Sequence, residues 1–154
     1  MSAYGVSVRL PDIEPQTEVV LLRTAVLENH LHSLLLASMR PLTNEKEDRI
    51  FSNGPLSALR CKIAVAYGFG LIDDGLYDDL MVIREIRNKF AHTLNKITFS
   101  SPDVIELVQK FTSWNAGVID PFGLFKERVA SCFTRIDRRY QQLVCEDAVR
   151  GDAQ

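Results

Sequence analysis

Three residues near the middle of the chain have side chains suited to binding a phosphate and moving protons beside it: Arg87, Asn88 and His92. An arginine guanidinium is permanently charged and can donate two parallel hydrogen bonds to a phosphate. An imidazole is the side chain whose ordinary pKa lets it take up and release protons near neutral pH. We therefore take Arg87 as a candidate phosphate ligand, His92 as a candidate proton carrier, and Asn88 as a residue that orients or donates a hydrogen bond.

The helix expected to carry these residues places them on two faces. At about 100° per residue, Arg87 and His92 lie about 140° apart around one helix axis. Arg87 falls within the apolar arc, which is formed by Leu76, Leu80, Ile83, Ile86, Phe90 and Leu94. His92 lies on the other side, with Asn88 four residues before it and close enough to orient its ring. Within one helix the two cannot meet, so a shared site requires a two-fold axis and a homodimer.

A purely structural interpretation of the same residues also stays open. Arg87 then pairs with a carboxylate such as Glu28, because a charge on an apolar face needs a partner. His92 and Asn88 then cap the end of the helix, where a cation is favourable.

Composition limits the classes of function. With 154 residues, 46% of them hydrophobic and 25% charged, the chain has the make-up of one ordinary globular domain. A net charge of −2 argues against the broad basic surface that binds duplex DNA. Cys61, Cys132 and Cys145 have neither metal-site nor redox spacing and are expected to pack as reduced, small apolar residues. We expect no metal and no cofactor.

The chain shows no sign of export or membrane insertion. Residues 1–17 contain two prolines and no apolar signal core, and nowhere do eighteen apolar residues run together. We expect a cytoplasmic protein that neither crosses a membrane nor is secreted.

Apolar spacing predicts an all-α, single-domain bundle of five or six helices, since no convincing alternating strand pattern is present. The predicted helices are residues 16–39, a short turn through 51, 55–68, 74–93, a helix from 102 to near 114, and a long one from about 122 to beyond 143. The first is apolar on more than one face, which indicates a central or dimer-facing helix. The bundle covers residues 16–147, between an N-terminal arm of residues 1–15 and a frayed tail of residues 148–154.

Two stretches lead into the hexapeptide RNKFAH of residues 87–92, namely GPLSALRCKIAVAYGFGLI at 54–72 and DLMVIREI at 79–86. Together they resemble the mannitol operon repressor family, most clearly over residues 54–92. The hexapeptide also resembles the motif of the HEPN superfamily, in which an arginine, a polar residue directly after it and a later histidine end a core helix. This resemblance implies a helical bundle that dimerises through these helices and, in the superfamily's ribonucleases, metal-independent RNA cleavage at the dimer cleft.

Two functional hypotheses follow. The first is a regulator of the mannitol operon repressor type that binds a partner protein or RNA at a dimer cleft around Arg87, Asn88 and His92. Because no helix-turn-helix with a basic recognition helix is evident, its regulation is expected to be indirect. The alternative is a metal-independent endoribonuclease that uses the same three residues. The acidic balance and the few basic neighbours of the motif, Arg84 and Lys89, oppose catalysis.

Overall fold

The computed structural model describes residues 15–93 and 96–151, and this part of the chain is all-helical, as predicted. It contains six α-helices and one π-helical turn, Asp48–Ser52, which directly follows the second helix. The α-helices are α1 Pro15–Ser38, α2 Asn44–Glu47, α3 Leu59–Gly68, α4 Asp74–His92, α5 Pro102–Val108 and α6 Pro121–Gly151. The predicted arm falls almost entirely outside the described residues, as does Leu94.

Local signals in the sequence explain where the helices begin and end. Asp73 precedes α4, and its carboxylate accepts a hydrogen bond from the Leu76 N–H at 2.9 Å. Pro102 opens α5, where its missing N–H costs nothing. Gly70 adopts a φ of 68° after α3, and this left-handed residue lets the following N–H of Leu71 bond back to the carbonyl of Ala66.

Helix α1 is the centre of the bundle. It packs against α3, α4 and α6. Its buried residues are Val20, Thr24, Leu27, Leu31, Leu34 and Leu35. By length and composition it is the one described helix that could cross a membrane, a test that the core helices of globular proteins also pass. In this structure it serves as such a core helix.

The same helix also has an apolar side that residues 15–93 and 96–151 leave uncovered. Leu22 is 63% exposed and Val26 is 43% exposed. They line a groove of about 450 Å³ between α1 and α6 together with Phe133. The prediction that α1 is apolar on more than one face is thus confirmed, and the helix is central while also presenting an apolar surface.

The C-terminal end differs from the prediction. Helix α6 continues to Gly151, so residues 148–151 are helical where a frayed tail was expected. No residue of α6 beyond Ile136 is fully buried, and residues 144–151 are exposed. The last turns are therefore stabilised by hydrogen bonds within the helix and not by burial, and the spacing of apolar residues does not predict this stabilisation.

Candidate functional site

The three candidate residues lie on the last turns of α4, where the helix leaves the core. The helix buries Leu76, Leu80, Ile83, Ile86 and Phe90, as the apolar arc predicts. Arg87 and Asn88 are half-buried beside this stripe, and His92 is exposed. The fold therefore presents all three side chains at a surface.

Arg87 does not pair with Glu28. The Glu28 carboxylate accepts a hydrogen bond from Nζ of Lys62 at 2.5 Å, and Lys62 is only 5% exposed. Arg87 instead donates from Nη1 to the side-chain oxygen of Asn88 at 3.2 Å. The structural interpretation was therefore right that Glu28 pairs with a cation, but the cation is Lys62 and not Arg87.

Arg87 lines a cavity of about 470 Å³ between α1, α3 and α4. Two further arginines, Arg60 of α3 and Arg84 of α4, line the same cavity. The remaining lining residues are Glu28, Ser57, Ala58, Leu59, Cys61 and Asn88. None of the three guanidinium groups is within ion-pair distance of a carboxylate in residues 15–93 and 96–151. Arg60 is a site residue that sequence reasoning missed, because only the packing of α3 on α4 brings it here.

His92 lines a second and more open cavity of about 340 Å³. Its other lining residues are Glu85, Asn88, Lys89, Thr93 and Leu107. Lys89, one of these lining residues, forms an ion pair with Asp103, with 3.2 Å between Nζ and Oδ2. Asn88 borders both cavities, so Arg87 and His92 lie on either side of it and do not converge within one protomer, as their 140° separation predicts.

Asp79, in the second turn of α4, links this helix to α6. It is fully buried and forms an ion pair with Arg128 of α6 at 3.0 Å. It also accepts hydrogen bonds from the backbone N–H and the hydroxyl of Thr112, both at 3.0 Å. The sequence carries a signal for this burial, since around the helix axis Asp79 falls within the apolar arc, between Ile86 and Phe90.

A second carboxylate, that of Asp73, joins the start of α4 to α6. Arg135 donates from Nη2 to Asp73 Oδ2 at 2.6 Å. The Leu76 N–H first, and the Arg135 guanidinium second, lower the pKa of the Asp73 carboxyl below its usual value of 3.8. This contact fixes the beginning of the helix whose other end carries the candidate site.

The cysteines differ in environment. Cys132 packs in the core, where burial raises the pKa of its thiol to about 12 and keeps it protonated. Cys61 is half-buried, whereas Cys145 is exposed and does not pack as expected. The described residues contain no group of three or more His, Cys, Asp or Glu side chains able to hold a metal ion.

Comparison with known proteins places this helical bundle in a family. The family model described as "Mannitol repressor" matches residues 46–147, about two thirds of the chain, and the chain therefore belongs to the mannitol repressor family. This confirms the resemblance seen in residues 54–92 and extends it from residue 46 to residue 147, within α6. A comparison with curated protein sequences gives no match.

The fold is similar to that of MtlR in the X-ray structure of the MtlR–HPr complex from Escherichia coli. The TM-score is 0.55 at 14% identity, over 82% of this chain and 88% of that chain. At this identity the likeness concerns the fold alone.

Proposed function

We propose that this chain is a regulator of the mannitol repressor type that acts by binding a protein partner at the end of α4, around Arg87, Asn88 and His92. The observation that carries the proposal is the similar fold of MtlR, which forms a complex with HPr. HPr is accordingly the first partner to test. A net charge of −2, and the lack of a helix-turn-helix with a basic recognition helix among the described helices, support indirect regulation over direct contact with an operator.

The end of α4 has properties that favour binding. Arginine is enriched among the residues that dominate protein interfaces. The side-chain oxygen of Asn88 holds the Arg87 guanidinium in one orientation, which lowers the entropy lost when a partner binds. The two cavities on either side of Asn88 offer concave surface for the side chains of a partner.

Homodimerisation belongs to this proposal. Only a second copy can bring a His92 imidazole into the cavity that Arg87 lines, because the two residues of one protomer face different cavities. Light scattering at micromolar concentration should report two subunits. A monomer would remove the shared cleft and leave each protomer with two separate half-sites.

The ribonuclease alternative stays a prediction that depends on this dimer. The arrangement within one protomer gives it no support, because a phosphate bound by Arg87 would be out of reach of His92 across Asn88. Single-stranded RNA incubated with the protein and a chelator tests it. Metal-free cleavage that slows about a hundredfold in His92→Ala would establish catalysis, and intact RNA would reject it for the RNA tested.

Partner binding can be mapped residue by residue. Purified HPr is titrated into isotope-labelled protein, and amide signals are followed by NMR. We expect the largest shifts at residues 84–93, with smaller ones in α3 near Arg60. Shifts confined to the groove between α1 and α6 would move the interface to Leu22 and Val26, and an unchanged spectrum would reject HPr as the partner.

A further inference from the structure

The cavity lined by Arg60, Arg84 and Arg87 carries positive charge that the described fold does not balance. Three described arginines outside this cavity do pair with carboxylates, Arg49 at 2.6 Å, Arg128 at 3.0 Å and Arg135 at 2.5 Å. Glu28 is the one carboxylate among the residues that line this cavity. Lys62 already neutralises it at 2.5 Å, so its charge does not compensate the arginines.

Three positive charges around one cavity repel each other, which is unfavourable. An anion bound between them adds an attraction to each guanidinium group that outweighs this repulsion. Two of the guanidinium groups come from one face of α4, because Arg84 and Arg87 are three residues apart. The third comes from α3, which packs against α4. Donors thus approach the cavity from two helices, the arrangement needed to surround a compact anion.

We propose that this cavity binds the phosphate group of a free phosphorylated small molecule. A phosphate monoester presents three terminal oxygens, enough for three guanidinium groups, whereas a carboxylate presents two. The volume of about 470 Å³ falls in the range of small-molecule sites, about 300 to 1,000 Å³. Ser57 and Asn88 supply neutral polar groups, and Ala58 and Leu59 supply an apolar wall for the rest of the molecule.

The cavity shares Arg87 and Asn88 with the proposed partner surface, so this inference rests on that proposal in taking the end of α4 as a binding surface. The two are separated by their ligands, because phosphate is titrated in the absence of HPr and its binding is measured independently of a protein partner. Within one protomer, Arg60 lines only the arginine cavity.

The test is calorimetric titration of the full chain with inorganic phosphate, with glycerol 3-phosphate and with succinate, at constant ionic strength. The variants are Arg60→Gln and Arg84→Gln. Arg23→Gln is the matched control, because Arg23 is exposed in the groove between α1 and α6 and lines a different cavity. Thermal melts with and without phosphate, against sodium chloride at equal ionic strength, show whether each variant is folded and whether phosphate stabilises it.

We expect the wild type and Arg23→Gln to bind glycerol 3-phosphate more tightly than succinate. Each cavity variant should lose about tenfold to a hundredfold in affinity, the usual effect of removing one hydrogen bond to a charged group. Without ligand, both should melt no lower than wild type, because a repulsive charge has been removed.

Three results would overturn the inference. The wild type could bind neither phosphate nor glycerol 3-phosphate, the cavity variants could bind them as well as Arg23→Gln does, or succinate could bind at least as tightly as the phosphates. Phosphate binding without HPr binding would uphold this inference while rejecting the proposed partner.

Discussion

Two regions of α4 differ in how their charges are paired, one around Asp79 in its first half and one around Arg84 and Arg87 in its second half. In the first half, Asp79 is fully buried, and its carboxylate pairs with Arg128 and accepts two hydrogen bonds from Thr112. In the second half, Arg84 and Arg87 face a cavity without a carboxylate available to them among the described residues. Sites where local rules of charge balance are broken are expected to be functional. The first half holds the bundle together, and the second half is available to bind.

The largest expected effect concerns Asp79. Asp79→Ala should lower the free energy of unfolding by about 3 to 5 kcal/mol, because it leaves Arg128 buried without its counter-charge. Urea denaturation measures the loss. Asp78→Ala is the matched control, since Asp78 is the exposed neighbour on the same helix and should change stability by less than about 0.5 kcal/mol. Equal effects at the two positions would show that the buried pair does not hold the fold.

Lys62→Met should cost less, about 1 to 3 kcal/mol, through the loss of a charged hydrogen bond to Glu28. The Glu28 side chain is 29% exposed, so water partly compensates it. The freed carboxylate should also turn to the arginines of the cavity and weaken phosphate binding. Lys46→Met, at an exposed lysine, is the control. Unchanged phosphate affinity in Lys62→Met would mean that Glu28 does not set the charge of the cavity.

The contribution of Asp73 to stability, at the start of the first half of α4, is expected to depend on pH. Asp73→Ala should cost about 1 kcal/mol near neutral pH, as expected for loss of a helix cap, and Asp73→Asn should cost less because asparagine still caps. The folded-state pKa of Asp73 lies below its ordinary value of 3.8. Its ionic contribution is therefore complete above about pH 4 and is lost as the pH falls through the folded-state pKa. Urea denaturation from pH 7 down to pH 2 measures it, and a wild-type advantage over Asp73→Asn that grows toward low pH would contradict this assignment.

Arg87→Leu should have the smallest effect on stability, less than about 1 kcal/mol, because no carboxylate is left unpaired. Its partner in the structure is the neutral side chain of Asn88. The same urea denaturation experiment gives the value. A loss as large as that of Asp79→Ala would restore the structural interpretation of Arg87.

The sequence predicts those features of the fold that depend on a single helix, such as where it begins and which of its residues are buried. Asp73 marks the start of α4, and helical periodicity places Ile83 and Phe90 in the core and separates Arg87 from His92. The sequence does not predict which residues of different helices contact each other. Lys62 and Glu28 are 34 residues apart, and Asp79 and Thr112 are 33 apart. These partners meet only through the packing of whole helices, which residue spacing does not determine.

The same limit explains why Arg60 was missed as a residue of the candidate site. Arg60 and Arg84 belong to different helices, and their common cavity exists only because α3 lies against α4. The π-helical turn at Asp48–Ser52 was expected only as a short amphipathic turn, because its wider hydrogen-bonded loop has no clear signal in residue types.

The most direct test of the central claim is calorimetric titration of HPr into wild type, Arg87→Leu and Asp78→Ala, each shown to be folded by circular dichroism. The account predicts that wild type and Asp78→Ala bind HPr alike, while folded Arg87→Leu binds at least about tenfold more weakly, a change of about 1.4 kcal/mol. Folded Arg87→Leu that binds HPr with wild-type affinity would contradict the assignment of the second half of α4 as the binding surface.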